Sequence, residues 1–276
     1  MPRSTFFHIL GQTRRKDRDA DLREKIRQLH ATKGKSNEKY GYRRIWLELR
    51  KTDEYAGVNH KKVQRLMREM NLRGYMSRNG KRRYSSYRGQ VGRIADNLVN
   101  RRFHAERPNT LWSTDVTEFI MTTCDCKVYL SPIKDFCDGS IVSHSCSTTP
   151  DMRLVMSMLD EALDNNPCLS GLVFHSDQGW PYQNRKWTSR LESRGITQSM
   201  SRKGNCLDNS KMETFFSTIK KAIWFGQENR YRKPEDLIAA IDDYIDWYNK
   251  ERIQLKLGGL SPLQFREQAF RMAGRY

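Results

Sequence analysis

The sequence predicts an α/β protein: a mixed-sheet core behind a basic, helical N-terminal domain, followed by a C-terminal helical extension. Three observations carry this. From Pro108 onward, strand patterns alternate with helix patterns. Between Asp17 and Tyr75 the apolar residues recur at helical spacing instead. The charge is also divided, because residues 1–107 hold 29 basic and 11 acidic side chains, whereas residues 108–276 hold 21 of each. The whole +18 surplus therefore lies in the first 107 residues. Such an arm suits a polyanion, with nucleic acid the leading partner; a charge serving solubility alone would not gather in one segment.

In the N-terminal part, Leu22, Ile26 and Leu29 form one helical stripe, and Tyr42, Ile45, Trp46 and Leu49 form a second behind Gly41. Asn59 is a good N-cap for a third helix with Val63, Leu66, Met67 and Met70 inward. A turn holding Gly57 separates the last two, and Lys61, Lys62 and Arg65 lie early in the third, on or near its outer side. This fits a helix-turn-helix whose three cations meet DNA; a plain helical bundle with a solvated basic face is the alternative. Residues 1–75 form this domain. Residues 76–107 interleave Arg78, Lys81, Arg82, Arg83, Arg88 and Arg93 with Tyr84 and Tyr87, without apolar periodicity. They read as a basic linker that orders against phosphates.

The core, residues 108–225, begins with strands over Leu111–Thr122, Lys127–Phe136 and Ser140–Ser147, with Asp138-Gly139 as a tight turn. Pro150-Asp151 starts a helix carrying Leu154, Val155, Met158, Leu159 and Ala162 inward. A buried strand, Gly171–Phe174, ends at His175-Ser-Asp177. A helix over Asn184–Arg194 stops at Gly195, and Ile196–Met200 is one more strand. The next helix buries Met212, Phe215, Phe216, Ile219 and Ile223. In the extension, residues 226–276, Pro234 opens a helix with Leu237, Ile241, Tyr244 and Tyr248 as its stripe, and Ser261-Pro262 begins a last short one through Phe265.

No apolar run approaches the ~20 residues that a membrane span needs. Thr5–Leu10 is too short for a secretory signal core, so a cytoplasmic chain, nucleoid-associated when bound to DNA, is expected. Six cysteines fit that setting as reduced thiols. Neither Cys124-Asp-Cys126 nor His144-Ser-Cys146 has the spacing of a zinc site.

Chemistry concentrates in three carboxylates. Asp115 reads as lying inside a strand, Asp177 at a strand end, and Glu213 on the first turns of a helix, with 35 residues between the last two. Any one of them alone would be an ordinary surface or capping acid. Brought together from three elements, they make an oxygen-rich nest for Mg²⁺, and two such ions can clamp the attacking and leaving oxygens of a phosphodiester. Glu213, Ser217 and Lys220 share a helical face, so a phosphate-binding amine stands two turns from a metal ligand. Ser176 and Cys206 are not cast as nucleophiles, and His175 is a packing residue or one that supports a ligand. The polar stretch 201–209 around Gly204 reads as a mobile loop over the site, with Arg202 and Lys203 reaching backbone phosphates.

The blocks Trp112-Ser-Thr-Asp-Val-Thr, Phe174-His-Ser-Asp-Gln-Gly and Ser199-Met-Ser-Arg-Lys-Gly-Asn-Cys-Leu-Asp-Asn-Ser-Lys-Met-Glu-Thr-Phe-Phe resemble the signatures of DDE insertion-sequence transposases of the second-reading-frame (OrfB) type, relatives of retroviral integrases. The similarity runs upstream through Tyr40-Gly-Tyr-Arg-Arg-Ile and downstream through Tyr248-Asn-Lys-Glu-Arg252 and Leu257–Phe265, nearly the whole chain. One departure is Gln254, where such proteins usually carry His. The resemblance implies a ribonuclease H-like integrase core with Asp115, Asp177 and Glu213 binding two Mg²⁺ (or Mn²⁺) ions, and Lys220 touching DNA. It implies cleavage and strand transfer on element ends and target DNA by a homo-oligomer, with an upstream reading-frame product fused or bound. A ribonuclease H-like nuclease and a non-catalytic helix-turn-helix regulator are the competing readings. A simple hydrolase has no need of the basic arm, and a decayed core has little reason to keep all three acids.

Overall fold

A computed structural model describes Arg3 and residues 17–74, 92–202, 206–272 and 274. The chain divides into two compact units, Met1–Gly34 with Lys39–Tyr75, and Lys35–Glu38 with Met76–Tyr276. Lys203, Gly204, Tyr75 and residues 76–91 of the expected linker lie outside the described residues.

In the first unit, α1 (Ala20–Thr32) buries Leu22 and Ile26. A hairpin of β1 (Gly34–Lys35) and β2 (Glu38–Lys39) follows, too short for any alternation to show in sequence, and its Lys35–Glu38 belong to the second unit. Then come α2 (Tyr42–Leu49) and α3 (His60–Glu69), which bury Ile45 and Leu49, and Val63, Leu66 and Met67. Asn59 caps α3 as expected, its side chain accepting from Lys61 N at 2.8 Å. The turn is more ordered than Gly57 alone suggests. Asp53–Tyr55 forms a 3₁₀ turn, and Trp46 Nε1 donates to Val58 O at 2.7 Å.

The second unit is built on a six-stranded sheet in the order β4-β5-β3-β7-β8, with β6 also paired to β5. Its strands are β3 (Leu111–Thr114), β4 (Thr117–Met121), β5 (Cys126–Asp135), β6 (Ile141–Ser147), β7 (Val173–Ser176) and β8 (Thr197–Met200). β3 runs antiparallel to β5 and parallel to β7, and β7 is parallel to β8. The first expected strand, Leu111–Thr122, is thus two strands with Asp115 and Val116 between them. The pairing nevertheless keeps one register, from Thr114↔Ile133 to Thr117↔Leu130. That register sets Asp115 opposite Pro132, which has no N–H to give to the ladder. Asp115 is therefore in strand register without belonging to a continuous strand.

One sheet face carries α4 (Met152–Asn165), capped by Asp151, whose side chain accepts from Leu154 N at 3.2 Å. Val155, Met158, Leu159 and Ala162 of α4 pack with Trp112, Ile133, Phe174 and Trp187 in one core. Two helices follow β7 rather than one, α5 (Trp180–Gln183) and α6 (Arg185–Glu192). Next, α7 (Ser210–Ile219) runs into a π-helical turn, Lys220–Trp224. The extension holds α8 (Pro234–Lys250) and α9 (Pro262–Met272), the latter outlasting the predicted end at Phe265. Phe215 of α7 meets Tyr248 of α8 edge-on at 5.2 Å between centroids.

The linker's last residues are part of this unit. Asp96 O accepts from Met200 N at 3.2 Å and Leu98 N donates to Ser199 Oγ at 3.0 Å, so the segment runs along the open edge of β8. Cys124 and Cys126, expected as thiols, are instead bonded to each other. The turn through Asp125, φ +47°, brings their Cα atoms to 5.3 Å, within the reach of a disulfide.

Two buried ion clusters tie the extension in. Glu38, 8% exposed, accepts from Tyr244 Oη at 2.7 Å and from Arg252 Nε at 2.8 Å. Asp135 and Asp138, both fully buried, accept from Arg266 of α9 at 2.8 and 2.6 Å. Burial and the neighbouring Asp138 push Asp135 above the usual carboxylate range, while Arg266 opposes them. Arg266→Ala leaves two adjacent buried carboxylates without a counter-ion and should cost about 3–5 kcal/mol. Urea unfolding will read this as a lower midpoint at unchanged slope; a loss below about 1 kcal/mol, the surface-pair range, would show that Arg266 does not anchor α9.

Candidate active site

The three acids arrive from three elements. Asp115 occupies the break between β3 and β4, Asp177 follows the last residue of β7, and Glu213 lies in the first turn of α7. Asp115 Oδ1 accepts from Val116 N at 2.8 Å and its Oδ2 from Asn209 Nδ2 at 2.9 Å. Asp177 Oδ1 accepts from Gly179 N at 2.8 Å. A Cβ added at residue 179 would stand 2.8 Å from that same oxygen, so glycine there keeps the cradle open.

Asp115 and Asp177 each lie two residues beyond the paired Ser113 and His175 of neighbouring parallel strands, and Asn209 at the head of α7 reaches Asp115. Burial lifts Asp115 well above the usual carboxylate range, and the charges of Asp177 and Glu213 lift it further. Asp177 is raised by burial too, against the hydrogen bond from Gly179. Both keep part of their surface accessible. Among the described residues no group of three or more His, Cys, Asp or Glu side chains stands close enough together to hold a metal ion. The donors are all hard oxygens, with no thiolate or imidazole among them, and such a set suits Mg²⁺ or Mn²⁺.

His175 is a supporting residue. It is buried between Ser199 Oγ, 3.0 Å from Nδ1, and Asp208 O, 3.1 Å from Nε2. A carbonyl can only accept, so Nε2 carries the proton, and burial keeps the ring neutral. Ser176 Oγ donates to Asp177 O at 2.9 Å. Burial pushes the thiols of Cys137 and Cys146 up to about 11 and about 12, so both stay protonated at neutral pH.

The expected phosphate contacts stand differently from one another. Lys61 is exposed. Lys62 and Arg65 pair with Asp19 at 2.6 and 3.2 Å, and Arg65 also lies 3.5 Å from Glu69. Arg202 is held by Asp208, with Nε donating at 2.9 Å and Nη2 at 3.0 Å. Lys220 Nζ donates to Glu118 O at 2.7 Å and lies 5.1 Å from the centroid of Phe119. Sequence reading passed over Asn209 and Asp208. The available signal was their place in the same block as Glu213, four and five residues ahead of it.

Comparison with known proteins places this architecture. The integrase core domain family matches residues 105–206, a second integrase core domain family matches residues 213–270, and an HTH-like domain matches residues 16–80. Over 271 residues the chain is 42% identical to the putative transposase InsK for insertion sequence element IS150 of Escherichia coli K12, covering 98% of this chain and 91% of that protein. The chain belongs to the insertion-sequence transposases. This transposase is also 44% identical over 221 residues to an uncharacterized transposase-like protein of Haemophilus influenzae, covering 79% and 98% of the two chains. It is 39% identical over 266 residues to the probable transposase for insertion sequence element IS1353 of Shigella flexneri, covering 96% of this chain and 50% of that one. Its fold is similar to that of a chain in the simian T-cell lymphotropic virus intasome solved with PP2A regulatory subunit B56 gamma, with a TM-score of 0.51 at 14% identity over 82% of this chain and 70% of that one. The transposase is accordingly a polynucleotidyl transferase of DNA transposition, with an α/β integrase core and an HTH-like domain for DNA. Among the described residues no helix is long and apolar enough to cross a membrane.

Proposed function

We propose that Asp115, Asp177 and Glu213 are the ligands through which this transposase uses two divalent cations, Mg²⁺ or Mn²⁺, to cut DNA at the ends of its element and join them to a target. The observation that supports this reading is placement: β3, which leads into Asp115, pairs with β7, which leads into Asp177, and Asn209 at the head of the Glu213 helix donates to Asp115. When bound, the cations would supply positive charge to the attacking and leaving oxygens of the phosphodiester.

The protein's own part is to hold the acids still. Val116 N fixes one oxygen of Asp115, and Gly179 N fixes one of Asp177. In joining, the terminal 3′-hydroxyl loses its proton to solvent and bonds to a target phosphorus as the P–O bond to the displaced 3′-oxygen breaks. No protein atom becomes covalently attached. His175 is not the base, since both its ring nitrogens are engaged.

Phosphates of the end and target fall to Lys61, Lys62, Arg65, Arg202, Lys203 and Lys220. For Lys62, Arg65 and Arg202 the phosphate must displace or share an acid that already holds the cation. Residues 1–75 serve as the end-binding domain, 76–107 as a basic linker, 108–225 as the catalytic core and 226–276 as its extension. The active species is a homo-oligomer assembled on DNA in the cytoplasm. An upstream reading-frame product, fused or bound, supplies further end recognition.

The test is joining of a pre-cut element end to plasmid DNA under different cations. Mg²⁺ and Mn²⁺ should support joined product, and Ca²⁺ should support binding better than chemistry. EDTA should abolish joining. Joined product in EDTA would overturn the metal-ligand reading, and hydrolysis without joining in Mg²⁺ would point to a nuclease.

A further inference from the structure

We infer that Asn209 is a positioning residue for Asp115, the donor that orients this carboxylate toward the cations, and that Asp208 locks Asn209 in place. The inference rests on the proposed role of the three acids and concerns how one of them is aimed. Asn209 is 6% exposed and ends the 3₁₀ turn Cys206–Asn209, one residue before α7 begins. Its Nδ2 donates to Asp115 Oδ2 at 2.9 Å, and its Oδ1 accepts from Ser113 Oγ at 3.4 Å. With the amide turned round, its oxygen would face a carboxylate oxygen, so the chemistry of the neighbours fixes which end points at Asp115. Oδ1 of Asp115 is taken by Val116 N, and the two donors together define the plane of the carboxylate.

What holds Asn209 is the residue before it. Asp208 is 1% exposed, and its carboxylate accepts from the Arg202 backbone N at 3.1 Å, from the Arg202 side chain, from Arg101 Nε at 3.1 Å and from Asn97 Nδ2 at 2.9 Å. Its carbonyl accepts from His175 Nε2 at 3.1 Å. Three stretches far apart in sequence thus converge on one buried acid: the edge segment 97–101, the exit of β8 at Arg202, and β7 at His175. The dipeptide they clamp reaches Asp115 on one side and runs into the first turn of the Glu213 helix on the other. The relation between two of the three acids is therefore set at residues 208–209.

Partners that orient a metal ligand change affinity about 10–100-fold when removed. The experiment is Mn²⁺ titration of the full-length, DNA-free protein followed by electron paramagnetic resonance, with thermal melting recorded alongside. Asn209→Leu keeps the size and removes the donor, and it should weaken Mn²⁺ about 10–100-fold while still melting cooperatively. If it does not fold, Asn209→Ser, whose hydroxyl falls short of Asp115, carries the same expectation. A folded variant of either kind that binds Mn²⁺ like the parent overturns the inference. Asp177→Asn is the calibrating variant. Should it also bind Mn²⁺ like the parent, the assignment of the three acids fails, and that result is distinct from a failure at Asn209 alone.

Discussion

Asp177→Asn should bind element ends and fail to join them. The substitution keeps the side chain's size, and its carbonyl oxygen can still accept from Gly179 N, the contact seen at 2.8 Å. The cradle around residue 179 therefore stays intact and the core folds. What disappears is one of the three negative charges proposed to hold the cations. A lost contribution of several kcal/mol to the developing charge corresponds to ~10³-fold or more in rate. DNA affinity, which rests on basic residues elsewhere, should change little. Strand-transfer and gel-shift assays on the same preparation separate the two. Joining at anything near the parent rate would remove Asp177 from the reaction.

Salt should weaken DNA binding by about 10³–10⁵ between 50 and 200 mM, as expected for ~6–10 phosphate contacts. The basis is the surplus of +18 in residues 1–107. Cutting the chain at Pro108 is a poor way to test it, because Glu38 and residues 92–101 are built into the second unit. Replacing Lys81, Arg82, Arg83 and Arg88 by Gln in the full chain leaves those contacts alone. If all four meet phosphate, the slope of log K against log salt should flatten by roughly 3–4, about 0.9 per contact. An unchanged slope would mean that this cluster is a solvated surface.

The alternation of the core was legible because it depends on local pattern. Helix stripes such as Val63-Leu66-Met67 and Leu237-Ile241-Tyr244 appear at the predicted positions and face inward. The break at Asp115 was not legible, since it depends on Pro132 lying opposite, a fact of register rather than of neighbouring sequence. Asn209 and Asp208 were hidden for a similar reason: their partners Asp115 and Asn97 are 94 and 111 residues away. Arg202 carried a charge that pointed to phosphate, whereas its partner is a buried aspartate six residues on. The short 3₁₀ and π turns left no periodicity to detect. Gln254, in place of the usual His, donates to Tyr248 Oη at 3.3 Å, so at this position an amide holds the tail against α8.

The Glu38 cluster has a consequence for the order in which the molecule is made. Its carboxylate leaves the ribosome 214 residues ahead of its partner Arg252. At ordinary synthesis speeds that interval is about 10–40 s. Throughout it the hairpin at residues 34–39 has neither of its mates, Tyr244 and Arg252, so a carboxylate destined for the interior must stay in water. The catalytic unit therefore cannot close progressively behind the growing chain. Its completion waits for Arg252, and a chain truncated before that residue lacks the guanidinium that pairs with this acid.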